Sequence, residues 1–365
     1  MMELYIFDRD LNFQGIIENF FSLRWVRRYS KCGEFELHCG LTPATLSLLR
    51  IGNVVWKNDD QEAGIIEYRN ISLNAQKEEV LVAKGRFATS LLGRRIIWGT
   101  EIINNTVEIA IRTLVNNHAV NPTNPDRAIP KLQLGNIKGF TQLVDMQVSY
   151  ANLLEEIEAL TQTHELGIRT LFNPTVKTFT FDLYEGLDRT ITQTANAPAI
   201  FAQEYENVLE QEYSESINNY RNIALVGGIG EGVERELITV GSGMGQDRFE
   251  VFVDQRNLSN ETDDGTPIPQ EEYQAMLAQK GLEVLAESKE IQTFDSKINI
   301  GANLIYKQDF DLGDLVTCLN RRWGITIDTR ITEIEEVYET NGKSINVTFG
   351  NSVPTLIDKI KQVVR

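Results

Sequence analysis

The sequence predicts a β-rich α+β chain of several domains, in which two related antiparallel β-barrels carry an inserted α+β module and a small helical insertion. Three observations predict it. Short runs of β-branched and aromatic residues, separated by Gly, Asn, Asp and Ser, fill the first hundred positions and return after 185. Between those stretches the apolar period lengthens from two to about 3.6. A turn followed by a hairpin occurs twice, once in each β-rich half.

In the first part, LYIFD, QGIIE, SLRWVRRY, EFELHC, NVVWK, GIIEYRNISL and EEVLVAKG read as strands, and FATSLLGRR as a short helical piece that closes the unit. This gives a first barrel over 1–97, completed by part of 186–222. The α+β module spans 98–185. There Thr106 caps a helix whose Val107, Ala110, Ile111, Leu114 and Val115 form one stripe, and Pro122, Pro125 and Pro130 break the helical pattern beyond it. A second helix is expected after Ser149, with Tyr150, Leu153, Leu154, Ile157 and Leu160 inward and Gly167 ending it. IRTLFN and TFTFDLYEG then pair around Pro174.

The second barrel is expected over 223–262 and 290–352, from strands such as NIALVGG, FEVFVDQR, LGDLVTCL and SINVTFG. EEYQAMLAQKGLEVLAES, with Pro269 near its first turn, forms the helical insertion over 263–289. TLIDKIKQVV predicts a C-terminal helix over 353–365.

The repeated pattern has more weight than any single motif. LRIGNVVWKNDDQEAGIIEYRNISL holds the turn Gly52-Asn53, a strand, a polar hairpin and a second strand from Gly64. FDLGDLVTCLNRRWGITIDTRITEIEEVY holds Gly313-Asp314, a strand, a polar hairpin and a longer second strand. Two similar units per subunit let a closed ring of three subunits present six.

The stretch ALVGGIGEG, with Gly227, Gly228, Gly230 and Gly232, invites comparison with a phosphate-binding loop. VERELITV comes next with a period near two, so no helix N-terminus faces a phosphate, and no Lys-Ser or Lys-Thr stands after the last glycine. The sequence predicts a glycine turn between antiparallel strands instead, one ending at Val226 and the next rising through Glu236.

Composition narrows the function. The formal charge of −17, spread along 365 residues, disfavours a surface built to hold nucleic acid. The N-terminus lacks the basic start and apolar core of a signal peptide, and no apolar run reaches the ~18 residues of a membrane span. Cys32, Cys39 and Cys318 are too few for a disulfide framework. In an extended CGEFELHC the side chains of Cys39 and His38 diverge, against a metal site.

The carboxylate groups Asp8/Asp10, Asp59/Asp60, Glu155/Glu156/Glu158 and Asp263/Asp264 read as turn residues or as the outer face of a helix. His38, His118 and His164 are far apart and lack the company of a hydrolase motif. Arg86, Arg94 and Arg95 form the clearest basic spot, suited to pairing within this acidic chain or to contact with an acidic neighbouring subunit. No catalytic, cofactor or metal site is expected.

ELYIFDRDLNFQGIIE, EAGIIEYRNISL, VAKGRFATSLLGRRIIW, NIALVGGIGEGVERELITVG with DRFEVFVDQR, and DFDLGDLVTC with TFG resemble, in order and over nearly the whole chain, the siphophage and prophage tail proteins that form the baseplate hub. The resemblance implies a structural virion protein at the tail tip, assembled in the host cytoplasm and similar in architecture to the hub of contractile tails. It implies a homotrimer whose two tube barrels per subunit form a pseudo-six-fold ring continuous with the tail tube. The partners implied are the distal tail or tail tube protein, the tape measure protein and tip or receptor-binding proteins, with genomic DNA passing through the channel. Many such hubs continue into a peptidoglycan-cleaving or receptor-binding region; none is expected after SINVTFG here, and no enzymatic role with it. The competing readings are a cell-wall hydrolase that uses carboxylates of the middle module, and a nucleotide-binding protein that uses 227–232.

Overall fold

The computed structural model describes residues 2–73, 78–262, 264–340 and 342–350. Asp263 and the C-terminal helix expected over 353–365 lie outside the described residues. The chain divides into two compact units. The first comprises residues 1–23, 30–184 and 221–288, and the second residues 24–29, 185–220 and 289–365.

The first unit opens with a mixed-length antiparallel ladder. Its strands are β1 (Leu4–Phe7), β2 (Phe13–Ile17), β4 (Glu34–Gly40), β5 (Val54–Lys57), β6 (Ala63–Leu73) and β7 (Glu79–Phe87), ordered β2-β1-β5-β6-β7-β4. Strand β3 (Ser22–Arg28) passes into the second unit from Arg24. In β4 the burial alternates, with Phe35, Leu37 and Cys39 inward and Glu36 and His38 outward, as a half-buried strand requires. A short helix α1 (Pro43–Leu48) is held by a Thr42/Thr45 capping box. FATSLLGRR becomes a tight 3₁₀ segment, Ala88–Arg94.

The middle of this unit holds β8 (Thr100–Thr106) against β10 (Leu143–Ser149), and β9 (Leu132–Leu134) parallel to β12 (Thr178–Tyr184), which pairs antiparallel with β11 (Gly167–Asn173). Helix α2 (Val107–Val115) starts where Thr106 Oγ1 accepts the Ile109 N–H, and it buries Val107, Ala110, Ile111, Leu114 and Val115. Helix α3 (Leu153–Thr163) begins later than Ser149, because the Asn152 side chain accepts the N–H groups of Leu154 and Glu155. Tyr150 therefore lies outside the helix, exposed, with φ +55°. Gly167 opens a strand instead of ending the helix; the reversal falls at Glu165, φ +56°. The Phe172 N–H donates to Gln61 O (2.8 Å) and its ring lies 5.0 Å from Phe7, which ties this module to the ladder.

A third layer completes the unit. Strand β16 (Ile223–Gly227) lies between β17 (Leu237–Gly241), antiparallel, and β18 (Glu250–Asp254), parallel. Helix α4 (Gln270–Glu287) covers them, and Ala224, Val226, Val253, Tyr273, Met276 and Leu277 make a closed apolar cluster. The sequence assigned 223–262 to the second β unit and 263–289 to an insertion there. The chain instead groups 221–288 with the first unit, since α4 packs on α3 and β10 and Ser259 N–H donates to Gln147 Oε1 (2.8 Å).

The second unit contains β13 (Asp188–Arg189), β14 (Ile200–Ala202), β15 (Val208–Ser216), β19 (Ile291–Ile298), β20 (Leu315–Asn320), β21 (Ile325–Glu339) and β22 (Gly342–Gly350). The order β15-β19-β22-β21 is antiparallel throughout, β20 pairs with β21, and β13 and β14 add parallel to β20. From Arg24, β3 runs beside β21 through Arg28–Glu333 (2.7 Å) and Tyr29 N–H to Thr332 O (3.0 Å). Phe201, Phe310 and Phe349 form its aromatic core. The architecture is thus β-rich with few helices and mainly antiparallel, and no strand pair among the described residues closes a ladder into a barrel. No described helix is long and apolar enough to cross a membrane.

Candidate functional site

The two turns singled out in the sequence share one hydrogen-bond pattern. In the first unit Asn53 N–H donates to Arg50 O (3.0 Å), Gly52 N–H to Ile66 O (2.7 Å) and Ile66 N–H to Asn53 O (2.9 Å). In the second, Asp314 N–H donates to Asp311 O (3.2 Å), Gly313 N–H to Ile331 O (2.9 Å) and Ile331 N–H to Asp314 O (2.9 Å). Gly52 has φ +88° and Gly313 φ +94°, a conformation that side chains resist.

The strands leading out of the two turns also correspond. β5 pairs with β6 and β20 with β21, and the long second strand then transfers to a third, β7 or β22. The ladder shifts by one residue immediately after Ile66 and immediately after Ile331. The order β4-β7-β6-β5 in one unit matches β19-β22-β21-β20 in the other.

The copies differ at the residue after the glycine. Asn53 is neutral and donates to Leu48 O (2.8 Å). Asp314 is buried and accepts from Leu187 N–H (2.7 Å), Asp311 N–H (3.0 Å) and Arg189 Nε (3.0 Å). Burial pushes its carboxyl above the ordinary range, opposed by those donors.

At the first ladder shift Gly85 lies opposite Ile66, and a Cβ there would come within 1.7 Å of Ile65 O. Gly85→Ala is expected to cost about 1–3 kcal/mol, since the backbone itself must move. A lowered thermal midpoint checks this; an unchanged midpoint would show that the bulge yields freely.

The glycine loop has the opposite polarity to a phosphate site. Arg235 donates to Gly228 O (Nε, 3.1 Å) and Gly227 O (Nη2, 2.9 Å), stacks on Phe252 and pairs with Asp254. The N–H groups of Gly228 and Ile229 are taken by Glu236 O (2.9 Å) and Tyr273 Oη (3.0 Å). Carbonyls thus converge on a cation where a phosphate would need N–H donors. Gly230 (φ +93°) and Gly232 (φ +56°) make the reversal, and the strand expected over VERELITV begins only at Leu237, after a 3₁₀ turn at Gly232–Glu234.

Arg86 pairs bidentately with Glu67 (2.8 and 3.0 Å), and Arg94 reaches the same carboxylate at 3.8 Å. Arg95 donates to Arg127 O (2.5 Å) and Ala128 O (3.5 Å), so its head is tied to backbone.

Several of the candidate catalytic carboxylates have structural partners. Asp8 Oδ1 accepts from the N–H groups of Asp10 and Asn12, and Asp60 Oδ1 from those of Gln61 and Glu62. Asp264 Oδ1 accepts from Thr266 N–H, and Glu158 from Cys32 N–H. Glu156, expected on an outer face, is instead largely buried and bridges to Lys280 of α4 at 2.9 Å. The sequence signal was the Lys280/Glu283 pair at i,i+3 among apolar residues, a pair that wants a third partner when buried. Cys32, Cys39 and Cys318 are buried thiols outside any disulfide, and burial pushes the Cys39 thiol up to about 11. Among the described residues no His, Cys, Asp or Glu group is arranged to hold a metal ion.

This β-rich fold is one that phage and prophage tail proteins share. The chain belongs to the family described as Siphovirus ReqiPepy6 Gp37-like protein, which matches residues 3–351. The fold is similar to that of the 43 kDa tail protein of prophage MuSo2 from Shewanella oneidensis (TM-score 0.59, 11 % identity, covering 95 % of this chain and 98 % of that one). It is similar also to a tail protein from Neisseria meningitidis MC58 (TM-score 0.58, 10 % identity, 96 % and 97 %). A third likeness is the prophage tail protein gp18 from Listeria monocytogenes EGD-e (TM-score 0.57, 12 % identity, 99 % and 98 %). No curated protein matches the sequence.

Proposed function

We propose that this tail protein is the hub of a phage-type tail tip, three copies of which form a ring presenting six similar β units. The observation that carries the reading is the duplicated turn: Gly52-Asn53 and Gly313-Asp314 make the same three backbone hydrogen bonds and lead into the same strand order. A three-fold assembly of duplicated units can meet a six-fold tube without a symmetry mismatch. In this reading the ladders complete tube barrels, and the ring extends or closes the tail tube and joins it to tip and receptor-binding proteins. Its role is mechanical. The net charge of −17 suits a channel wall that DNA passes without adhering.

Electron microscopy of the purified chain, alone and mixed with its neighbouring tail protein, tests this. A three-fold ring with a central hole is expected. A compact monomer under both conditions would overturn the hub, and a ring lined by basic residues would overturn the proposed channel.

A further inference from the structure

A cavity of about 500 Å³ opens in the middle module of the first unit, beside the C-terminal end of α2. It is independent of the turns and of the ring. One wall is Trp98, 57 % exposed although Arg127 stacks on its ring at 4.6 Å, so the opposite indole face is open. The other wall is Glu101, whose Oε1 accepts from His118 Nε2 (3.0 Å) and Asn117 Nδ2 (3.1 Å).

The carboxylate is held in place from behind. Trp98 N–H donates to His118 Nδ1 (3.3 Å), which leaves the ring proton on Nε2, facing Glu101. The His118 side chain is 4 % exposed, and burial holds its pKa below the ordinary value, so the imidazole is a neutral donor at neutral pH. Residues Asn116–Val120, which bear Asn117 and His118, are π-helical. That geometry is uncommon and concentrates at functional sites, because the extra residue turns side chains out of the helical register. Glu101 Oε2 and the Trp98 indole N–H have no hydrogen-bond partner among the described residues.

This arrangement selects a chemical class. A cation would meet Arg127, and an anion would meet Glu101. A neutral polyhydroxyl ring satisfies both walls: one face of C–H groups lies on the open indole, and vicinal hydroxyls donate to Oε2 and accept from the Asn121 amide at the rim. The volume lies within the range of small-molecule sites. We propose that the Trp98–Glu101 cavity binds a neutral pyranose residue of a glycan.

The test titrates the purified full chain with tri-N-acetylchitotriose and with maltotriose, and with choline and AMP as charged controls, read by tryptophan fluorescence and saturation-transfer NMR. Saturable binding of at least one trisaccharide is expected. Trp98→Ala should abolish it, and Trp98→Phe, which keeps an aromatic platform, should weaken it. Glu101→Gln, which keeps an acceptor for His118 but removes the charge, should weaken binding about tenfold or more. Trp323→Ala, at an exposed tryptophan of the second unit, should leave the isotherm unchanged. The proposal is overturned if neither saccharide binds up to about 10 mM, weaker than the millimolar end of the affinity scale. Binding undiminished in both Trp98→Ala and Glu101→Gln, or saturable binding of choline or AMP alone, would overturn it equally.

Discussion

Lys280→Met is expected to destabilise the first unit by about 3–5 kcal/mol, the usual cost of removing one partner from a buried ion cluster. Lys280 Nζ lies 2.9 Å from Glu156 Oε1 on α3 and 2.9 Å from Glu283 Oε2 on α4, and the three side chains are only 10–15 % exposed. Gln279 Nε2 also donates to Glu283 Oε1 (3.2 Å). Methionine fills the volume but leaves two carboxylates facing each other without a cation, so the charge, not the packing, dominates the loss. Adding Glu156→Gln to Lys280→Met should recover part of it. Denaturation of both variants, with hydrogen exchange in α3 and α4, checks the order. Equal stability of wild type and Lys280→Met would show that the cluster contributes nothing net.

The pH dependence of that variant is set by the direction of the shifts. Burial raises Glu283 above its ordinary value, with Lys280 opposing the rise. A raised carboxyl contributes stability that is fully present below its unfolded value, about 4.3, and is lost as pH rises through the folded value. Without Lys280 the rise is larger. Lowering the pH from about 8 to about 5 should therefore stabilise Lys280→Met more than wild type. Lys280 itself is raised, chiefly by Glu283 and Glu156 acting against burial, so its contribution persists until pH passes the raised value.

Phe201→Ala is expected to cost about 3–5 kcal/mol in the second unit. Phe201 is fully buried, its ring 4.8 Å from Phe349 and 5.1 Å from Phe310, the latter pair at 89°. It stands on the short strand β14, whose hold on β20 consists of three register pairs, including Phe201 with Cys318. Few backbone bonds secure that strand, so the aromatic contacts carry much of its attachment. Phe201→Leu, which leaves a smaller void, should cost distinctly less. Chemical denaturation, with hydrogen exchange across β20–β22, distinguishes the two. A loss below about 1 kcal/mol for alanine would mean that the site collapses around the missing ring.

Local structure was widely legible. Thr106 starts α2 because a hydroxyl before an apolar stripe is enough to satisfy the first helical N–H groups, wherever the helix later packs. Phe35, Leu37 and Cys39 point inward because a strand alternates by geometry. The ends of elements were less legible. Ser149 and Asn152 are both good caps, and only the fold decides between them; here Asn152 Nδ2 also donates to Gly93 O (2.9 Å). Gly167 looks like a helix stop, yet the reversal is made at Glu165, where a non-glycine residue is held at positive φ.

By itself, then, the sequence determined the β-rich class, the position of most strands and helices, the paired glycine turns and the family. Each depends on neighbours along the chain, through hydrogen-bond period, capping and φ preference. Tertiary structure alone decided that residues 221–288 belong with the first unit, that Arg235 holds the carbonyls of Gly227 and Gly228, that Glu156 lies buried beneath α4 and that Trp98, Glu101 and His118 share a cavity. Those arrangements join residues from separate elements, and which of several acidic or glycine-rich segments meets a given partner is settled by packing and desolvation, which no local pattern encodes.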